Sequence, residues 1–203
     1  MEEELDSSKG LTAIIWKKFA SDLRRASLLQ SDCYTLSNLL QCDNNLQTYS
    51  PASNAYVLRL REAGRIERET GTPILLGHFY TRYLADLFGG SMMGWPTKLA
   101  LSLDEVPRFY IHSSNITMNR RDYVESIYES LNEAGKDLTA LQQKEIVKEA
   151  EIAFQLNAAL YKEGIGGPGV GMYIGAAVGG LNVVLGYGKE KFINIGKKNI
   201  VGH

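Results

Sequence analysis

His78–Met93, HFYTRYLADLFGGSMM, is a helix that sets its small residues on a face of their own. On helical spacing Arg82, Asp86 and Gly90 fall at i, i+4 and i+8, one above another, with Ala85 and Gly89 in the neighbouring row. Each of the adjacent glycines Gly89 and Gly90 costs about 1 kcal/mol relative to alanine inside a helix. Such a pair serves a kink, or close approach by another backbone or by a flat ligand. Spacing alone leaves these readings open beside plain helix packing with a surface ion pair. Arg82 and Asp86 stand next to the opening as a pair able to hold ordered water.

Outward from that helix the chain keeps the same character. Ser50-Pro51 and Thr72-Pro73 each put a capping hydroxyl ahead of a proline at the first helical position. Tyr56, Val57, Leu60 and Ala63 then recur at helical spacing, and Gly64 predicts a stop. Thr139 with Gln142 forms a capping box, and the stripe Ile146, Val147, Ala150, Phe154, Asn157 and Tyr161 follows. No stretch alternates as a strand does, and no repeat of solenoid length is visible, so the fold class is all-α. Glu2, Glu3 and Glu4 suit a first turn but have no cap ahead of them, which on the residues alone reads as a frayed acidic end.

Composition narrows the function. With 203 residues and 44% hydrophobic content the chain can bury a core. A net charge of −1, from 22 basic and 23 acidic residues, argues against a nucleic-acid binder. Two cysteines, Cys33 and Cys42, are too few for a disulfide scaffold or a four-cysteine zinc site. The acidic N-terminus lacks the order of a secretory signal. Charge shifts sharply along the chain: residues 1–163 hold 18 basic and 22 acidic side chains, whereas residues 164–203 hold four lysines and Glu190. Ten of the 25 residues from Gly164 to Gly188 are glycine, and none is charged. The predicted organisation is a helical domain, 1–162, and a Gly-rich, Lys-ended tail, 163–203.

HFYTRYLADLFGG resembles the distal-helix signature of heme oxygenases, usually written close to AHxYxRYLGDLSGG. Other blocks resemble the family in the same order: MEEELDSSKG its acidic helix end, FASDLRRASLLQSDC its FPxELxRxxxLxxDL segment, YSPASNAYVLRLREAG its YTPAxxxYVxRLxExG, and KEAEIAFQLNAALYKE its EEAKxAFxLNxxLFEE. The resemblance covers about residues 1–162 and implies a multi-helical heme-oxygenase-like bundle. It implies that Tyr80 meets a propionate, that Gly89, with Ala85 and Gly90 beside it, lets the helix approach the macrocycle, and that Phe154 and Asn157 belong to the closing wall. Asp86 would anchor the water network that delivers protons to dioxygen, with Arg82 in support. The family reaction takes heme as cofactor and substrate, with dioxygen and electrons from an NADPH-dependent reductase, and yields biliverdin, carbon monoxide and ferrous iron.

The chain also departs from the family pattern. The family carries its iron-ligating histidine on a first helix, and the match begins after that helix, so the resemblance implies a truncated member without the proximal ligand and no metal-ligating residue in the chain. His78 aligns with a distal-helix histidine that is not the ligand and reads as structural; His112, in the loop RFYIHSSN, reads as a surface residue; His203 is the chain end. Cys33 or Cys42 could ligate only as thiolates, in a segment of no derivable geometry. Ala85 stands for a glycine and Phe88 for a serine. Where an FKxxYR-like run normally supplies cations to the propionates, Val124 and Tyr128 stand, with Arg120 and Arg121 upstream as stand-ins. Leu75, Phe109 and Ile200 precede the histidines by three, so no Glu-x-x-His pair points to a di-iron site. Two functions follow from the resemblance: heme oxygenation, or a non-catalytic truncated relative that binds heme weakly or a protein partner.

The uncharged stretch 169–188 is 20 residues, bilayer length, with Gly171, Gly175 and Gly179 repeating every fourth position. It reads as a membrane anchor, which resemblance places on the cytosolic face of the endoplasmic reticulum, or as a flexible tail of a cytoplasmic protein, since its glycines and Asn182 weaken a span.

Overall fold

The computed structural model describes residues 1–39 and 49–164, which are helical without a strand among them, as the all-α reading expects. In order come Glu2–Asp6 (α1), Gly10–Leu23 (α2), Ala26–Leu39 (α3), Pro51–Thr70 (α4), Leu75–Phe79 (α5), Ala85–Gly89 (α6), Gly94–Ala100 (α7), Ser114–Met118 (α8), Arg120–Lys136 (α9) and Ala140–Gly164 (α10). The chain divides into two compact units, Met1–Leu160 and Tyr161–His203, the second described only in the last residues of α10. The stretch 169–188 and Cys42 lie outside the described residues. Among those described, no helix is long and apolar enough to cross a membrane.

Local chemistry explains the helix ends. The Ser50 hydroxyl accepts from the Ser53 N–H at 3.2 Å and starts α4 at Pro51. Gly64 does not end that helix. It is a contact instead, since any side chain there would strike the Glu4 carboxylate of α1, and α4 runs on to Gly71, whose left-handed φ of 73° closes it. The Thr72-Pro73 signal is right in place but not in mechanism: α5 begins at Leu75, and its N–H is taken by Glu67 Oε2 at 3.0 Å. At Thr139 the predicted capping box forms in both directions, with Thr139 N–H to Gln142 Oε1 at 3.0 Å and Gln142 N–H to Thr139 Oγ1 at 3.3 Å.

The acidic N-terminus is no frayed end. Glu2 Oε1 accepts from the backbone N–H groups of Arg25 and Ala26 at 2.9 and 3.0 Å, which caps α3 from a distance. Asp6 pairs with Arg24 and accepts from Trp16 Nε1 at 2.7 Å, while Glu4 reaches Arg68 at 3.2 Å.

The core gathers on α5, every residue of which is buried. A helix buried on all sides, its one polar side chain His78 included, belongs in the middle of a bundle. Trp16 of α2 sets its edge on Phe79 with centroids 6.4 Å apart and lies 5.4 Å from the Tyr83 ring. Leu5, Ile15, Phe19, Leu23, Ala63, Leu84, Leu87, Ile116 and Ile127 complete the cluster. Each such burial contributes about 1.5–3 kcal/mol, so the segment that carries the candidate site is also the best-anchored part of the chain. Of the predicted stripe on α10, Asn157 faces inward as expected, but Val147 and Tyr161 are exposed, and Glu149 and Ala153 are buried beside Asn157 instead. The inner face is part polar because it meets polar partners on the segment that begins with α5.

Candidate functional site

The helical run from Leu75 to Ala100 changes pitch four times. After α5 comes a π turn, Tyr80–Leu84, then α6, then a tight 3₁₀ turn, Gly90–Met93, that leads into α7. A π turn widens the coil and rotates everything beyond it, so residues four apart across it no longer stack. The predicted Arg82–Asp86 pair is therefore not formed. Arg82 Nη1 donates to Asn157 Oδ1 of α10, and its guanidinium lies 5.6 Å over the Tyr56 ring. Arg82 and Asn157 do meet, as one polar unit with Tyr56.

Gly77 is what permits this approach. A Cβ on it would sit 2.8 Å from both the Ala150 nitrogen and the Ile146 oxygen, so the α5 and α10 backbones touch there. Thr81 Oγ1 bonds to Gly77 O at 2.9 Å and Ala150 O at 3.2 Å within the wide turn. Beside it, His78 Nε2 donates to Glu149 Oε1 at 2.8 Å, and Nδ1 accepts from the Tyr56 hydroxyl at 3.4 Å. Arg59 holds Glu149 as well, with Nε to Oε1 at 2.8 Å. Burial works against the Glu149 carboxylate, but the bonds from His78 and Arg59 outweigh it and hold it below its ordinary range. Burial pushes Tyr56 up to about 12. His78 is thus structural, as expected, with both ring nitrogens engaged.

Asp86 lies beyond the π turn and has different partners. Its Oδ2 pairs with Arg25 in the link between α2 and α3, and side-chain exposure is 6% for Arg25 and 13% for Asp86. His112 Nε2 stands 3.4 Å from the same oxygen. The reading of His112 as a surface residue is overturned, because its side chain is 1% exposed. The expected stacking of Asp86 on Gly90 does hold: any side chain at Gly90 would strike Asp86 Oδ1. At Gly89 the reverse is true, since a Cβ there would meet nothing within 4 Å. The small-residue row, Ala85 and Gly89, consequently borders open space, with Ala85 half-buried and Phe88 exposed beside it.

The remaining candidates surround this opening less closely. Tyr80 is half-buried and accepts a hydrogen bond from the Tyr128 hydroxyl, their rings 6.4 Å apart, and burial raises its pKa. Arg120 binds Ser91 Oγ at 2.8 Å, which ties the run following Gly90 to α9. Phe154 is half-buried on α10 one turn past Ala150. Sequence reasoning missed Arg25, Tyr56, Arg59 and Glu149. Each meets its partner across a long stretch of chain, and local spacing carries no sign of that.

Chemically, a helix stripped of side chains along one row can lie flat against a planar apolar molecule, and a carboxylate one residue from the row can order water at that molecule's face. That pattern fits a macrocycle on this side. Among the described residues no three His, Cys, Asp or Glu side chains converge as a metal site.

Comparison with known proteins agrees in kind. A family model described as Heme oxygenase matches residues 1–163. Heme oxygenase 1 of Homo sapiens is 29% identical over 164 residues, which is 80% of this chain and 54% of that protein. Heme oxygenase of Rhodella violacea is 32% identical over 157 residues, 74% of this chain and 60% of its own. Heme oxygenase 1 of Nostoc sp. is 30% identical over 164 residues, 80% and 65% respectively. The chain spans about half the length of its human relative.

Proposed function

Because this chain belongs to the heme oxygenase family, we propose that the face opened by Gly89 takes heme and that the site serves its oxidative cleavage to biliverdin, carbon monoxide and ferrous iron. The observation that carries this reading is the pairing of an open position at Gly89 with a carboxylate oxygen laid over Gly90. Bound heme would supply the redox-active iron and the carbon framework that is cleaved, with dioxygen as oxidant and electrons from an external NADPH-dependent reductase.

The chain's own residues supply approach, wall and proton handling. Gly89 and the methyl of Ala85 let the helix backbone come close to a flat ring. Asp86 accepts hydrogen bonds from water at that face while offering no nitrogen or thiolate to compete with dioxygen. Arg82, Asn157 and Tyr56 form a second polar group one turn earlier and extend the hydrogen-bonded region toward Glu149. The Tyr80 and Tyr128 hydroxyls suit a propionate edge, and Phe154 suits the apolar wall. His78 would not hold the iron of a bound heme, since Tyr56 and Glu149 occupy both its nitrogens.

The test is direct. Full-length chain loaded with ferric heme, then given NADPH and its reductase in air, is expected to form biliverdin, and Asp86→Asn to slow it at least about tenfold, or ~1.4 kcal/mol. Heme taken up at saturation without any pigment would overturn oxygenation and leave a heme-binding relative.

A further inference from the structure

Asp86 is gripped from outside its own helix. Its Oδ2 faces the Arg25 guanidinium and, 3.4 Å away, His112 Nε2, while Oδ1 lies over Gly90. Both partners are themselves fixed. Arg25 Nη1 donates to Phe109 O at 3.1 Å, and its guanidinium stacks 4.8 Å above the Phe109 ring. The loop that carries His112 is tied down on both sides. Asp32 accepts from the N–H groups of Arg108 and Phe109 at 3.0 and 2.7 Å, and Asp22 accepts from Ser113 Oγ at 2.7 Å. Yet neither ring nitrogen of His112 has a hydrogen bond among the described residues. Nε2 is within ion-pair range of Asp86 but not aligned as a donor. A buried imidazole left in that state costs stability, and buried polar groups nearly always have partners. Two aspartates are spent on holding it there.

We propose that Arg25 and His112 form a clamp on Asp86 that turns its free oxygen toward the glycine opening, with His112 the charge-sensitive jaw. This rests on the heme reading for its catalytic meaning, though the clamp exists in the unloaded chain. With a neutral imidazole, Arg25 alone holds Oδ2 and the carboxylate keeps its orientation. With a protonated one, a second cation competes for the carboxylate and draws it from the opening. The charged groups that face His112 are Asp86 on α6, Arg25 before α3 and Arg120 on α9. Burial, with both arginines, holds the imidazole below its ordinary range, and Asp86 pulls the other way. His112 is a positioning residue, acting through Asp86.

The full-length chain, free of heme and labelled on histidine, is titrated by NMR. His112 is expected to protonate below the ordinary value of about 6.5. Asp86→Asn should move it lower and Arg25→Met higher, each by about half a unit or more. If Arg25→Met fails to fold, Arg120→Met removes the other facing cation and should shift His112 the same way. An ordinary midpoint that none of these variants moves would overturn the clamp. A second readout is the pH profile of biliverdin formation, which His112→Gln should flatten between about pH 5 and 7. A clamp seen by NMR without pigment defeats the heme reading alone; pigment with an unmoved His112 defeats the clamp alone.

Discussion

Glu149 accepts hydrogen bonds from His78 and Arg59 while almost wholly buried on α10, so its ionisation is tied to the fold. Its folded-state pKa lies below the ordinary 4.5. A depressed carboxylate contributes stability that is present above the unfolded value and lost as pH falls through the folded one. Unfolding free energy should therefore drop as pH is lowered from about 4.5, and Glu149→Gln should flatten that limb in denaturant titrations. At neutral pH the same substitution should cost about 2–3 kcal/mol, on the low side for a buried pair because Arg59 keeps some solvent contact. Arg25→Met strips the half-buried Asp86 carboxylate of its arginine and leaves it only His112, so urea unfolding should register a loss of about 2–3 kcal/mol, most of it recovered in Arg25→Met/Asp86→Leu. Neither pair could be read from local spacing: Arg25 and Asp86 lie 61 positions apart, and Arg59 and Glu149 lie 90 apart.

At the scale of elements, Gly77 and Gly89 are glycines for opposite reasons. A side chain at Gly77 must push the α10 backbone away, so Gly77→Val should destabilise by about 3 kcal/mol or more in chemical unfolding. At Gly89 there is room, so substitution should leave unfolding nearly unchanged and act on ligand uptake instead. The sequence carried much of this level: the Ser50 cap, the Thr139 box and the small-residue row all stand where spacing put them. It could not show the π turn, because Tyr80–Leu84 are ordinary helix residues and the turn exists through Thr81 and the close contact at Gly77. It placed Asn157 on the inward face of α10 correctly but missed Glu149, because apolar periodicity carries no sign of a carboxylate buried to meet His78 and Arg59. Gly64 misled in the same way, as a steric need for Glu4 resembles a stop signal.

For the whole molecule, family membership and architecture were legible from collinear blocks, whereas the disposition of charges around Asp86 was not. One surface feature bears on handling. Phe88, Met92, Trp95 and Leu99, spaced four, three and four apart, are all exposed, the last three by 60% or more. Exposed apolar side chains this close together in the chain favour self-association, and Met92→Ser/Trp95→Ser should raise the concentration at which sedimentation velocity still shows a single species. The row of Ala85 and Gly89 is the proposed heme-facing surface. It is tested most directly by titrating ferric heme into the full-length chain and into Gly89→Leu while following the Soret band. Saturable uptake is expected for the parent chain and affinity at least about tenfold weaker for the variant, at unchanged thermal stability. Equal affinity in the two would place heme elsewhere and contradict it.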